Sequence, residues 1–303
     1  MNGALPDVKS TNIPPSEALG YDTPFRVLTP EEVTAPVIFS SPHSGSVYPR
    51  AVQSVLRVPL MDLRRTEDAF VDELFNDAPD FGAWLVAANY GRMIADLNRD
   101  PRELDAKMFS DGPPRVCGQP TARVAAGLGC LPNVASRGDV IYNRLLTKAE
   151  GEARLRDIHD AWHAYLSAKL AELKKTHGAA ILVDCHSMPS VQPGRRLLAD
   201  IVLGDRFGSS CDHRLIGRVE RAFRGYGLTV ARNAPYAGGY MTRKYGRPKR
   251  GLHALQIEIN RGLYMDEQLI QRNERFAEIR TIAASIIREV LDVSNDILSD
   301  SRN

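Results

Sequence analysis

The sequence predicts an α/β domain in which helices cover a mostly parallel sheet. Three observations predict it. Short apolar runs recur along the chain, amphipathic stretches separate them, and Gly or Pro punctuates many of the joins. Strands that alternate with helices stack as layers around a parallel sheet.

Taken in order, PVIFS (36–40), AWLVAAN (83–89), RMIADL (92–97), AAILVD (179–184), ADIVLG (199–204), LTVA (228–231) and HALQIEI (253–259) read as strands. Helices are expected at about 60–77 and 212–225, and in two longer stretches. The first runs over 147–175, opened by Thr147 as N-cap with Glu150 three positions later and closed at Gly178. The second runs from about Asp266 to Asp296, where Leu269, Phe276, Ile279, Ile282 and Ile286 recur at helical spacing. The Gly/Pro-rich segment 110–140 carries too many apolar residues for a linker. It reads as an excursion over the sheet of the kind that shapes a site. The 303 residues are expected to form one catalytic domain, residues 1–20 being a polar, Pro-containing arm.

Composition narrows the function. A formal net charge of +2 provides no bulk field for nucleic acid or a membrane surface. No apolar run approaches the roughly 18 to 20 residues of a membrane span, and the first residues lack a signal's basic-then-apolar order. Cys117, Cys130, Cys185 and Cys211 show no CxxC spacing, so a reduced cytoplasmic protein is expected.

The chemistry gathers at strand ends, where open α/β sheets hold ligands. The first run ends in SPHSG with His43, AAILVD ends in DCHS with Asp184 and His186, and HALQIEI contains Glu258. Either His alone would pass as a satisfied polar group. Two at equivalent strand ends, each flanked by Ser and Pro, favour metal ligation, and imidazoles suit zinc better than magnesium. The third ligand is open: Thr66, Glu67 and Asp68 also serve as ordinary helix capping. Alternation alone would likewise allow Glu258 a half-exposed face. His159 and His163 have the spacing of HExxH without its Glu and read as packing residues, while His177 suits a helix C-terminus. Arg92 and Arg99 bracket a predicted strand. AGGYMTRKYGRP (237–248), with Arg243, suits carboxylate recognition or equally a solvated basic loop.

SPHSG, TEDAFVDELF, NYGRMIADLNRDP, VDCHSMPS, ADIVLGD, YAGGYMTRKYG and LHALQIEINRGLYMDE occur in the order found in the N-formylglutamate amidohydrolase (deformylase) family, which the chain resembles over roughly residues 36 to 270. The resemblance implies a three-layer α/β/α sandwich with a mostly parallel mixed sheet, similar to the zinc carboxypeptidases and aspartoacylases. It implies one divalent metal ion, zinc by preference, on His43, Asp68 and His186, with Glu67 as the neighbour that could replace Asp68. Glu258 would be the general base that activates the hydrolytic water, and Arg92 would steady the oxyanion. Asn98, Arg99 and Arg243 would bind the substrate carboxylate. The implied reaction splits N-formyl-L-glutamate, or a similar small N-acyl amino acid, into formate and the amino acid. Deformylases of histidine breakdown resemble Thr-Asp-Trp where this chain has Thr66-Glu67-Asp68-Ala69, which marks a divergent branch. Two other readings stay open: a deacylase or carboxypeptidase acting on a larger N-acyl amino acid or peptide, and a binding protein without turnover.

Overall fold

The computed structural model describes residues 23–135, 138–191 and 198–300; the arm expected over 1–20 lies outside them. Seven strands form one sheet: β1 (Phe25–Leu28), β2 (Val37–Ser41), β3 (Trp84–Ala88), β4 (Ala180–Met188), β5 (Ile201–Gly204), β6 (Val230–Arg232) and β7 (Leu252–Asn260). Their order is β1-β3-β2-β4-β7-β5-β6. The central four run parallel. β1 is antiparallel to β3, and β5 is antiparallel to β7 but parallel to β6. The mixed sheet is as expected.

The helices are α1 (Arg50–Gln53), α2 (Leu60–Arg64), α3 (Val71–Leu74), α4 (Ala122–Ala125), α5 (Lys148–Arg154), α6 (Ala161–His177), α7 (His213–Gly225), α8 (Tyr240–Tyr245) and α9 (Phe276–Asp300). Period-two alternation sorts the strand residues between two layers. Ile181, Val183 and Cys185 of β4, with Leu255, Ile257 and Ile259 of β7, join a core that includes Leu74, Val219 and Ile286 of α3, α7 and α9. Ala180, Leu182 and Ala254 join the opposite core, with Trp162 and Leu166 of α6. Each Val, Leu or Ile among them contributes about 1.5–3 kcal/mol on burial. The result is three layers, as expected. On the second face the apolar pattern stops partway along the strands. Asp184 and His186 follow Leu182, and Gln256 and Glu258 follow Ala254, all buried.

Three expectations need correction. Residues 92–97 form turns, not a strand, and their N–H groups find partners outside the sheet. Ile94 N–H closes back on Gly91, and Asp96 N–H bonds Cys130 O at 2.7 Å. The apolar residues of that segment are buried all the same, which is what mimicked a strand. The helix expected over 60–77 breaks between α2 and α3. There the Asp68 N–H leaves the helical ladder for His43 O at 2.9 Å, and Phe70 adopts φ 66°. The helix expected from Asp266 begins only at Phe276. Asp266 caps a turn by accepting the N–H groups of Gln268 and Leu269, and Leu269 is 59% exposed. Of the two faces alternation left open for Glu258, the fold gives it a buried one, on a strand buried on both sides.

The 147–175 stretch behaves as read. Thr147 accepts the Glu150 N–H, and Glu150 in turn accepts the Thr147 N–H, a complete capping box. A π-helical turn, Leu155–Asp160, then separates α5 from α6.

Candidate active site

Pro42 and Gly45 turn the chain out of β2. A Cβ at Gly45 would lie 2.3 Å from Tyr90 O, so a glycine is what allows this turn to close onto the neighbouring segment. The turn presents His43 beside β4, and the strand register then assembles the rest. Ser40 pairs with Asp184 across β2 and β4, and His186 pairs with Glu258 across β4 and β7. The α2–α3 break supplies Asp68.

Oδ2 of Asp68 lies 2.9 Å from Nδ1 of His186 and 3.4 Å from Nδ1 of His43. The ring centroids of the two histidines are 4.8 Å apart. Each imidazole is held from behind. His43 Nε2 meets Asp96 Oδ1 at 2.7 Å, and His186 Nε2 meets Asp184 Oδ2 at 3.0 Å. Such carboxylate–imidazole pairs fix the tautomer, so both rings turn Nδ1 inward. Arg261 fixes the third member, donating to Asp68 Oδ1 at 2.9 Å and to Ser187 Oγ and Arg65 O at 3.1 Å.

The donor set fits a divalent cation. One ligand atom from each of His43, Asp68 and His186 falls within a 4.8 Å cluster, and all three residues are buried. His43 Nδ1 is a buried atom without a hydrogen-bond partner, a lone pair aimed into the gap. Two imidazoles and a carboxylate match catalytic zinc sites best among common cations. Glu67 is not in the cluster. Its carboxylate takes the Tyr48 hydroxyl at 2.9 Å, so of the two acids Asp68 is the one that lies beside the histidines.

The electrostatics are strongly graded. Burial alone would raise the Asp68 and Asp96 carboxyls. For Asp68 the His186 hydrogen bond and the nearby His43 imidazole outweigh it, for Asp96 the Arg92 and Arg99 guanidinium groups and the His43 contact do, and both sit well below the usual range. Glu258 differs: burial, with Asp68 and Asp184 nearby, pushes it up to about 7 against the pull of His186. Gln256 donates to its Oε1 at 2.9 Å and leaves it facing the cavity.

The cavity in front of this cluster measures about 620 Å³. Arg92 and Arg99 line it. Arg92 is bonded to Asp96 Oδ2 at 2.7 Å, whereas Arg99 holds Asn98 O at 3.0 Å and keeps a buried Nε without a hydrogen bond. Asn98 lines the cavity too, but its amide is occupied within the protein. Nδ2 contacts Asp184 and His186, and Oδ1 accepts the Met241 N–H at 2.8 Å. A Cβ at Gly239 would press within 2.4 Å of that Oδ1. Arg243 does not line the cavity. It is bonded to Asp100 Oδ2 at 2.9 Å and lies over the Tyr240 ring. Sequence reasoning passed over Asp96, Gln256, Arg123 and Arg261. The acid inside the apolar run of 92–97 was a readable signal for Asp96. Arg123, in α4 of the 110–140 excursion, lines the cavity, and its guanidinium has no ion-pair partner among the described residues.

This site at the carboxyl ends of a parallel sheet belongs to a hydrolase acting on amide bonds. The chain belongs to the N-formylglutamate amidohydrolase family, whose model matches residues 35–265. It is 32% identical over 276 residues to the N-formylglutamate deformylase of Pseudomonas aeruginosa, covering 88% of this chain and 95% of that protein. With the Pseudomonas putida N-formylglutamate deformylase the identity is 32% over 250 residues, 80% and 86% of the two chains. The crystal structure of N-formylglutamate amidohydrolase from Ralstonia eutropha superposes with a TM-score of 0.83 at 34% identity, covering 91% of this chain and 98% of that one.

Proposed function

We propose that the chain hydrolyses the amide of N-formyl-L-glutamate, or of a similar small N-acyl amino acid, with His43, Asp68 and His186 holding a divalent ion, zinc by preference. The observation that carries this reading is the inward-facing Nδ1 of buried His43, which makes no hydrogen bond among the described residues and lies beside Asp68 and His186. A bound ion would supply a Lewis acid and an acidified water at neutral pH. Glu258 takes the water's proton and returns it to the departing amine, a role suited to a carboxyl that titrates near neutrality. Arg92 faces the developing oxyanion, where one well-placed donor is worth about 3 kcal/mol. Arg99 binds one substrate carboxylate. Arg123, a cation on the cavity wall with no ion-pair partner among the described residues, binds the second, the part given to Arg243 on sequence grounds. Asn98 steadies Asp184, the carboxylate that holds the His186 ring, by donating to it from its amide.

A second reading is favoured by one observation. A cavity of about 620 Å³ lies within the roughly 300–1,000 Å³ of drug-sized ligand sites and exceeds what a formyl amino acid fills. A larger acyl group or a short peptide would therefore fit the same machinery.

The test is metal analysis of the purified protein together with product release from formyl-, acetyl- and peptidyl-linked glutamate. The reading expects one bound divalent ion per chain, chelator-sensitive cleavage and the highest kcat/KM on the formyl compound. A protein that binds no metal and cleaves none of the three would reject it. Preference for the peptide would transfer the assignment to the second reading.

A further inference from the structure

His159 and His163 take no part in the chemistry proposed above, yet both are almost fully buried. The π-helical turn delivers the first and α6 the second, with ring centroids 4.4 Å apart. Both rings point at the same stretch of chain. His163 Nε2 is 3.0 Å from Leu97 O, and His159 Nε2 is 3.0 Å from Arg99 O. These carbonyls flank Asn98, in the segment that has no strand partner.

A buried carbonyl outside any ladder needs a donor from elsewhere. Here each donor is an imidazole N–H, and the tautomers are imposed. A carbonyl can only accept, so Nε2 carries the proton in both rings. On His163 the free Nδ1 then accepts the Tyr245 hydroxyl at 2.8 Å. Burial, helped by His159 and Lys244, holds His163 well below the usual histidine range, so the ring stays neutral. Tyr240 packs against both rings, at 5.2 and 6.0 Å between centroids. Pi-helical insertions in helices are frequent at functional sites, and this one sets the register of the pair.

We propose that His159 and His163 are positioning residues that clamp the Leu97–Arg99 loop from behind and thereby set the direction of Arg99 and Asn98 in the cavity. The proposal rests on the reading of Arg99 as a carboxylate contact. A clamp placed behind the loop is expected to act on substrate binding more than on turnover, and to act through Arg99.

The experiment is a double-mutant cycle with His159→Ala and Arg99→Ala, read as KM and kcat on N-formyl-L-glutamate. His159→Gln serves as the variant that keeps a donor, and Tyr245→Phe as one that keeps the core volume. His159→Ala is expected to raise KM about 10-fold with metal content unchanged, and His159→Gln to recover most of that loss. Tyr245→Phe is expected to raise KM several-fold. In the Arg99→Ala background His159→Ala is expected to change kcat/KM less than 2-fold. Equal losses in both backgrounds would show a merely structural role and overturn the proposal. Hydrogen exchange at the 97–100 amides reads the clamp without turnover. It should rise in His159→Ala and Tyr245→Phe, and unchanged exchange would also overturn the clamp. Raised exchange with an Arg99→Ala enzyme of normal KM would keep the clamp and reject Arg99 as the carboxylate contact.

Discussion

Asp96 bridges the two halves of the site: one of its oxygens lies 2.7 Å from His43 Nε2, and the other takes the Arg92 guanidinium at 2.7 Å. A single buried carboxylate thus orients both a candidate ligand and the candidate oxyanion donor. Asp96→Asn keeps the shape but removes the charge that fixes the His43 tautomer. Outer-shell changes of this kind typically weaken metal affinity 10- to 100-fold. Competition titration against a chelator should show that loss, together with a lower kcat. Wild-type metal affinity in Asp96→Asn would remove Asp96 from the site.

Of the described carboxyls that line the cavity, Asp68, Asp96 and Glu258, only Glu258 is driven upward. Its replacement by Gln preserves the contact with Gln256 and the packing of β7 while deleting the proton acceptor. General-base removal should lower kcat roughly 10²- to 10⁴-fold. Bound metal, measured on the same preparation, should remain at the wild-type level. Turnover within 10-fold of wild type would place the base elsewhere.

Arg123 is predicted to read the second carboxylate of the substrate. Hydrogen bonds to charged groups are worth about 1.5–3 kcal/mol, so Arg123→Gln should cut kcat/KM on N-formyl-L-glutamate roughly 10- to 100-fold. On N-formyl-L-glutamine, which lacks that charge, the same change should cost less than about 3-fold. A uniform loss on both compounds would assign Arg123 to loop structure.

Stability should depend on Glu150 at acid pH. The Arg144 hydrogen bonds, ahead of the Thr147 cap, lower its carboxyl from 4.5 in the free state to about 2. The folded form therefore binds the proton more weakly than the unfolded form. Its contribution is complete above pH 4.5 and is lost as pH falls from there toward 2. The pair is largely solvent-screened, so the contribution is about 1 kcal/mol, in the range of one helix cap. Glu150→Gln should lower the unfolding free energy by that amount at pH 7 and flatten its slope below pH 4.5 in urea titrations. An unchanged slope would assign the acid dependence to other carboxylates.

Most of the architecture was legible because it depends on patterns a few residues long. The runs at 36–40, 83–89, 179–184 and 253–259 carry enough apolar side chains to be strands wherever they pack, and Thr147 with Glu150 announces a helix start by local hydrogen bonding. His186 and Glu258 stood out as polar groups at or on such strands, and His43 in the turn that follows one. What stayed hidden depends on contacts distant in sequence. The buried segment 92–97 has a strand's composition, but its Asp96 N–H is taken by Cys130 O, a partner distant in sequence. Helix propensity over 60–77 cannot foresee that His43 O will capture the Asp68 N–H and break the helix where the acid is needed.

The sequence by itself determined the layers, the strand ends and the residue types gathered on them, since hydrophobic period and turn chemistry are local properties. Only the tertiary structure decided that Asp68 joins the histidines while Glu67 turns to Tyr48, that Arg243 is spent on Asp100, and that Arg123 reaches the cavity. Charges and donors find their partners across the fold, and that pairing follows from distance in space, which no local pattern encodes.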